Sequence, residues 1–292
     1  LLLYTPSLNY RTHSKILKKP CYSLGRPSSN CDAKKSIYLT AGIKSTMGFQ
    51  GVHFSIASHA AWAPGIETRE AWQAWAHSNS VIAGDTEPGV RAMPPMLRRR
   101  AGFLGKMALE VAYQCLGERT NVPTIFCSRH GEVSRSVELL TDLANDIPLS
   151  PTSFGLSVHN AMGGLFSIAR KDLANNIALA AGKSSVEHAV IEACSLLAEG
   201  EPSVLLVVYD CPLPAIYIDF ADEDEQPHAW AWLMQASGED AISLTWSAAP
   251  NSTSEKMKQL PASLEVLRFH LRQDKELHRL CNGKQWSWTR HV

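Results

Sequence analysis

From residue 50 onward the apolar positions follow two rhythms. Val52, Phe54 and Ile56 alternate with smaller or polar neighbours, the period of a half-buried strand. After the turn Ala63-Pro64-Gly65, residues 68–75 read as a helix. A loop containing Pro88, Pro94 and Pro95 leads into segment 96–116, where Phe103, Met107, Val111 and Leu116 fall near one face at helical spacing. Residues 122–127 form a short apolar strand, and 133–144 an amphipathic helix.

The second half repeats the alternation. Segment 159–169 reads as a helix whose Gly163-Gly164 pair allows another backbone to come close. Residues 177–181 are a small-residue strand that meets Gly182-Lys183-Ser184-Ser185, followed by a helix over 186–198 that Gly200 ends. Segment 203–209 is the most apolar strand, suited to the centre of a sheet covered on both faces. An acidic loop follows at 219–225. Segment 229–235 fits helix or strand, and 242–246 a strand. The tail 247–292 opens as a polar linker and holds one helix over 262–280. Strands alternating with helices predict a layered α/β fold, a mixed sheet covered by helices.

Composition narrows the partners. The 292 residues are 45% hydrophobic and 19% charged, with formal net charge +0, so nothing points to nucleic acid or an anionic membrane. No run reaches the ~18 apolar residues of a membrane span. The seven cysteines lack the close pairs of zinc or redox motifs, and a reducing cytoplasm is the natural compartment. Residues 1–46 stand apart: Arg11, Lys15, Lys18, Lys19, Arg26, Lys34, Lys35 and Lys44 face a single acid, Asp32. Two readings compete, a basic transit leader or upstream sequence translated ahead of Met47, and the second is favoured. The domains are therefore expected as a leader 1–46, a main domain 47–246, and a linker with a helical tail over 247–292.

The order of local strings then resembles the N-terminal half of β-ketoacyl synthases, of the thiolase-like class. The strings are Trp62-Ala63-Pro64-Gly65, Glu70-Ala71-Trp72, Leu97-Arg98-Arg99-Arg100 before Gly105-Lys106-Met107-Ala108, and Leu149-Ser150-Pro151-Thr152-Ser153-Phe154. Ser128-Arg129-His130-Gly131-Glu132, Ser157-Val158-His159-Asn160-Ala161 and Tyr209-Asp210-x-Pro212-Leu213-Pro214 are more closely similar to the short chain length factors of aryl-polyene-type biosynthesis.

In active members of that family the strand corresponding to 177–181 ends in a nucleophilic cysteine, whose thiolate the amides at the helix start favour. The resemblance puts that cysteine at Lys183, within one residue, and Gly182, Lys183 and Ser184 occupy the corner. Cys194 lies too far into the helix and reads as a buried core residue. The chain also lacks most of the second α/β copy that brings the catalytic histidines. His270 and His278 are expected on the tail helix and His291 next to the C-terminus, none of them a catalytic relic. The resemblance thus implies a non-catalytic subunit, shortened relative to a full ketosynthase. Its expected partner is a full-length ketosynthase in a heterodimer, with an acyl carrier protein acting through that partner and no cofactor or metal. His159, Asn160, Gly163 and Gly164 become interface candidates, with Met162, Leu165 and Phe166 as tunnel walls.

Other constellations compete. Arg129-His130-Gly131-Glu132 after a strand also resembles the opening of histidine phosphatases, although there the motif starts the fold. The alternative for Arg129 and Glu132 is salt bridging in a strand-end loop. Gly182-Lys183-Ser184 lacks the earlier glycine of a phosphate-binding loop, since Ile177 stands there. Ser184 or Ser185 with His188 could form a hydrolase pair, but serine at a helix start is more often a cap. Asp219, Asp222, Glu223, Asp224 and Glu225 read as a solvated acidic loop.

Overall fold

The computed structural model describes residues 50–236, 238–249 and 260–291. The two readings of 1–46 fall outside the described residues, as does most of the polar linker. The elements run β1 (Gln50–Trp62), α1 (Arg69–Ala76), α2 (Pro95–Arg98), α3 (Phe103–Leu116), β2 (Thr124–Cys127), α4 (Val133–Ala144), α5 (Pro151–Ser157) and α6 (Ala161–Arg170). They continue with β3 (Asn176–Leu179), α7 (Ser185–Ala198), β4 (Val204–Asp210), β5 (His228–Gln235), β6 (Ala241–Ala248), α8 (Ala262–Arg272), β7 (Glu276–Cys281) and β8 (Lys284–His291).

One mixed sheet organises them, in the order β3-β2-β4-β5-β1-β6-β8-β7. β3, β2 and β4 are parallel, joined by crossovers that carry helices, and the remaining pairs are antiparallel. The period-2 geometry of strands sorts side chains between the two faces. Val204, Leu206, Val208, Trp230, Trp232 and Met234 pack on one face, with α7 and α8. Leu205, Val207, Tyr209, Ala229, Ala231 and Leu233 pack on the other, with α3 and α6. Indoles and alanines therefore alternate along β5, and the alanine face lets α3 lie close against the sheet.

β1 holds the sheet together. Its first residues, Gln50–Phe54, pair with β6, and its later ones, Ser55–Trp62, pair with β5 across an irregularity between Ile56 and Ser58. The extra residue of such a bulge twists a strand locally, which lets one strand serve two neighbours at different heights.

Three expectations change. Segment 96–116 is two helices, α2 and α3, because the chain leaves helical geometry around Arg99–Gly102 and restarts with Gly102 as the N-cap. The tail helix ends at Arg272, where Gln273 turns left-handed, and the remainder is the hairpin β7–β8. Its turn places Asn282 (φ 52°) and Gly283 (φ 70°) both at positive φ, as a two-residue hairpin turn of this hand requires. His278 thus lies on a strand rather than on a helix, and His291 ends β8. Nor does the sheet break at 246, since β6 runs to Ala248 and pairs with β8 along its length.

The hairpin is bound in by a buried charge cluster. Arg279 on β7 pairs with Glu187 of α7, which has no exposed surface, and its Nε lies 2.7 Å from Glu265 of α8. Removing one member of such a group strands a charge in the interior. Arg279→Ala is expected to cost about 3–5 kcal/mol in urea unfolding, whereas the joint change Arg279→Met with Glu187→Leu should recover most of it. A loss below about 1 kcal/mol for the single variant, the size of an exposed pair, would contradict this.

Candidate functional site

The corner between β3 and α7 is closed by hydroxyls. Gly182 adopts φ +59°, and a single 3-10 turn spans Gly182–Ser184 before α7 begins. Ser185 Oγ accepts from the Ala181 amide at 2.9 Å and donates to the Gly182 carbonyl at 2.7 Å. Ser184 is buried and donates to the Ala181 carbonyl at 3.2 Å. His188 Nδ1 meets the backbone carbonyl of Ser184 at 2.8 Å, so no serine–histidine pair forms there. Lys183 points away from the corner, its Nζ 3.2 Å from Asp222.

The neighbouring strand end brings a second loop to the same place. Asp210, the last residue of β4, accepts from Ser128 Oγ at 2.8 Å and from the Arg129 amide at 2.9 Å. Ser128 Oγ in turn accepts from the Gly131 amide at 2.7 Å. The loop so held aims Arg129 at Asp222 (2.6 Å) and Glu223 (2.9 Å), and His130 at Glu225 (2.7 Å). The other Glu225 oxygen accepts from the Leu213 amide at 2.8 Å. The acidic loop is therefore the lid of an ion-pair network rather than a free solvated run.

These groups border a cleft of about 420 Å³, much of it open solvent, whose walls include Arg129, His130, Lys183, Asp210, Cys211 and His228. Burial acts first on Asp210 and carries it up to about 7, against the hydrogen bonds that favour its charged form. Burial also raises Glu223 above the usual carboxylate range. Asp222 is exposed enough that Arg129 and Lys183 overcome desolvation and hold it low.

Cys211 is the one sulfur on this cleft among the described residues, and two histidines share its walls. Burial, with the charges of Asp210 and Glu132 added, pushes its thiol up to about 12. Nucleophilic thiols need the opposite shift, so the cleft holds no ready thiolate. Cys127 and Cys194 are buried, with pKa values raised chiefly by desolvation, and Cys194 fills core space as expected.

The sequence profile described as "Beta-ketoacyl synthase, N-terminal domain" matches residues 72–289. The chain belongs to that family. The match runs past Pro214, where the last of the similar strings ends, and includes the hairpin, so the likeness extends further along the chain than the local strings show. The structure is also similar to one titled as the ketosynthase ApeO in complex with its chain length factor ApeC, from Xenorhabdus doucetiae. There the TM-score is 0.72 at 27% identity, over 82% of this chain and 99% of the other. A β-ketoacyl synthase from Burkholderia phymatum shares the fold at TM-score 0.51 and 12% identity, over 75% and 69% of the two chains. So does a structure titled AntDE:AntF, a type II polyketide acyl-carrier protein with its ketosynthase, at 0.58 and 9%, over 82% and 98%. No curated protein is significantly similar in sequence.

The remaining candidate residues separate into two groups within this ketosynthase-like frame. His159 sits against Gly131, and its Nε2 donates to the Ser128 carbonyl at 2.9 Å, so it braces the Arg129 loop. Asn160 precedes α6 without capping it through its side chain. Gly163 faces the Asn176 side chain so closely that any Cβ would collide with it, whereas Gly164 faces open space. Met162, Leu165 and Phe166 are buried in the chain's own core, Met162 lying over Gly105 and the Phe166 ring 5.7 Å from Phe126. Glu132 pairs loosely with Arg135 at 3.7 Å rather than with Arg129. Arg129 is already held by two carboxylates, which leaves a phosphoryl group little to bind. Among the described residues no group of three metal-ligating side chains converges, and no helix is long and apolar enough to cross a membrane.

Asp210 makes this site sensitive to pH. Its value lies near 3.8 in the unfolded chain and about 7 when folded, so folding takes up a proton between those limits. That contribution to stability is complete below pH about 4 and is lost as the pH rises through 7. His228 and His270, lowered by burial to about 4 and about 3, act in the opposite direction. The comparison is therefore wild type against Asp210→Asn, in which the histidine contributions cancel. Wild-type stability relative to the variant should grow as pH falls from 8 to 5 in urea titrations, and a flat difference would place Asp210 among ordinary carboxylates.

Proposed function

We propose that this chain is a non-catalytic subunit of the chain length factor type, working beside a full-length β-ketoacyl-carrier protein synthase that supplies the cysteine. The observation that carries this reading is the corner at Gly182, Lys183 and Ser184. Where the family places a thiolate, the chain holds an ammonium paired with Asp222 and a buried, hydrogen-bonded serine. Neither can accept an acyl chain from a thioester in the way a low-pKa thiol does.

A second observation supports a partner. β3 is the edge of the sheet, bonded only on its β2 side; α6 packs against it, α5 against α6 and α4 against α5. Along that stretch Leu140, Leu143, Ile147, Phe154, Val158, Ile168 and Leu173 are exposed, Leu173 to 98%. Unpaired sheet edges and grouped exposed apolar side chains are the usual marks of a protein interface. In this reading the partner covers that face, and an acyl carrier protein delivers substrate to the partner's cysteine. Met162, Leu165 and Phe166 set the position of α6 from beneath, and thereby the limit of the acyl channel between the subunits.

Mixing the chain with a cysteine-bearing ketosynthase encoded beside it should give a 1:1 complex by light scattering. Ile168→Asp and Leu173→Asp, both on exposed positions, should each weaken it at least about tenfold, or about 1.4 kcal/mol. Condensing activity by the isolated chain would end the non-catalytic reading. So would specific labelling of one of its cysteines by a cysteine-directed ketosynthase inhibitor.

A further inference from the structure

The same cleft contains a nucleophile–base pair that the ketosynthase chemistry does not use. His228 opens β5 and Ser263 lies in the first turn of α8, separated by 35 residues in the chain. His228 Nδ1 lies 2.7 Å from the carbonyl oxygen of Gln226, which can only accept, so Nδ1 carries the proton. Nε2 is therefore the free lone pair, and it lies 2.7 Å from Ser263 Oγ. A serine hydroxyl donating to an imidazole whose other nitrogen is fixed by an acceptor is the arrangement of an activated serine.

Three further features bear on it. Both residues belong to the inner wall of the cleft beside Arg129 and Lys183, His228 without exposed surface and Ser263 almost so. Ala262 and Ser263 open α8, where helix geometry leaves their amides without an intrahelical acceptor. Trp230 Nε1 donates to the Ser263 carbonyl at 3.0 Å, which pins the serine backbone relative to β5.

We infer that Ser263 and His228 form an acyl-transfer dyad that hydrolyses thioesters entering the vacated cleft. The choice of substrate rests on the ketosynthase-like reading above and on the dyad itself. The acceptor behind His228 is a backbone carbonyl, not a carboxylate, so the imidazolium formed in the reaction has little support. Such a base favours acylation by substrates with a good leaving group, and a thiol of pKa ~8.5 leaves far more readily than an amine or alkoxide; hydrolysis of the acyl-Ser263 ester, which must expel the serine oxygen, is then the slow step. Ser263 Oγ bonds to the thioester carbonyl carbon while its proton passes to His228 Nε2. The C–S bond then breaks, and the departing sulfur takes that proton to give the free thiol and an acyl-Ser263 ester. A water, giving its proton to Nε2, attacks the ester. The carboxylic acid leaves and the hydroxyl is restored. The sum is thioester and water to acid and thiol.

Treating the full chain with a fluorophosphonate should produce one covalent adduct, which peptide mass spectrometry maps to Ser263. The chain should also hydrolyse a medium-chain acyl-N-acetylcysteamine thioester, and Ser263→Ala should lower that rate at least about a hundredfold. Ser263→Cys should shift labelling from the fluorophosphonate to iodoacetamide at residue 263. An absent adduct, an adduct on another serine, or hydrolysis unchanged in Ser263→Ala would overturn the dyad. Ser263→Ala should leave complex formation with the ketosynthase intact. A failed dyad thus leaves the partner reading standing, and a failed complex leaves labelling of Ser263 to be judged alone.

Discussion

β4 and β5 have no solvent face, and the rest of the molecule is arranged to keep it so. Every residue of β5 from His228 to Met234 is buried, as is β4 from Val204 to Tyr209. A strand pair of this kind is stable only if apolar layers cover both sides. The division of labour between the faces is visible residue by residue: indoles toward α7 and α8, alanines toward α3. Large side chains on one face bring in the tail helix and the hairpin, whose Trp286 and Trp288 complete that layer. Small ones on the other allow a long helix to approach. The two strands also end beside the cleft, so the packing that buries them fixes where Asp210 and His228 stand.

The cleft then illustrates how a reactive corner can be held silent by ordinary pairing. Lys183 and Arg129 pair with Asp222 and Glu223 across a short distance, and His130 is hydrogen-bonded to Glu225. Such mutual pairing stabilises the loops and leaves little net charge to attract an anionic substrate. Asp210 does its work behind them, accepting hydrogen bonds that shape the Arg129 loop. The site is thus electrostatically self-contained, which suits a subunit whose surface role exceeds its chemistry. Ser263 and His228 take no part in that set of ion pairs, and their hydrogen bond lies in the buried wall of the cleft.

The exposed apolar side chains are not spread evenly. Those between Leu140 and Leu173 belong to elements stacked from α4 to the sheet edge, while the opposite edge ends in the polar hairpin strand β7. Apolar exposure is therefore heavier at the β3 edge than at the β7 edge, where Leu280 is exposed. This asymmetry links the fold to the proposed partner without calling on any single contact.

Periodicity alone settled much of this chain. The strands at 203–209 and 122–127, the helix at 133–144 and the corner without a cysteine were all legible, because each depends on local spacing or on one residue's identity. The local strings also carried the family. Other features depended on neighbours distant in sequence. Segment 229–235 was ambiguous because Trp230 and Trp232 fit either element until β1 and β4 pair on both sides. The hairpin was missed although Asn282-Gly283 signals a tight turn, because the apolar spacing after Ala262 carried the helix too far. Its actual stop is a left-handed Gln273, which no composition rule marks. Arg129 with Asp222, Arg279 with Glu187, and Ser263 with His228 are pairs across 93, 92 and 35 residues. Spacing in the sequence holds no information about such contacts; they exist only once the sheet has set which strand ends and helix starts meet.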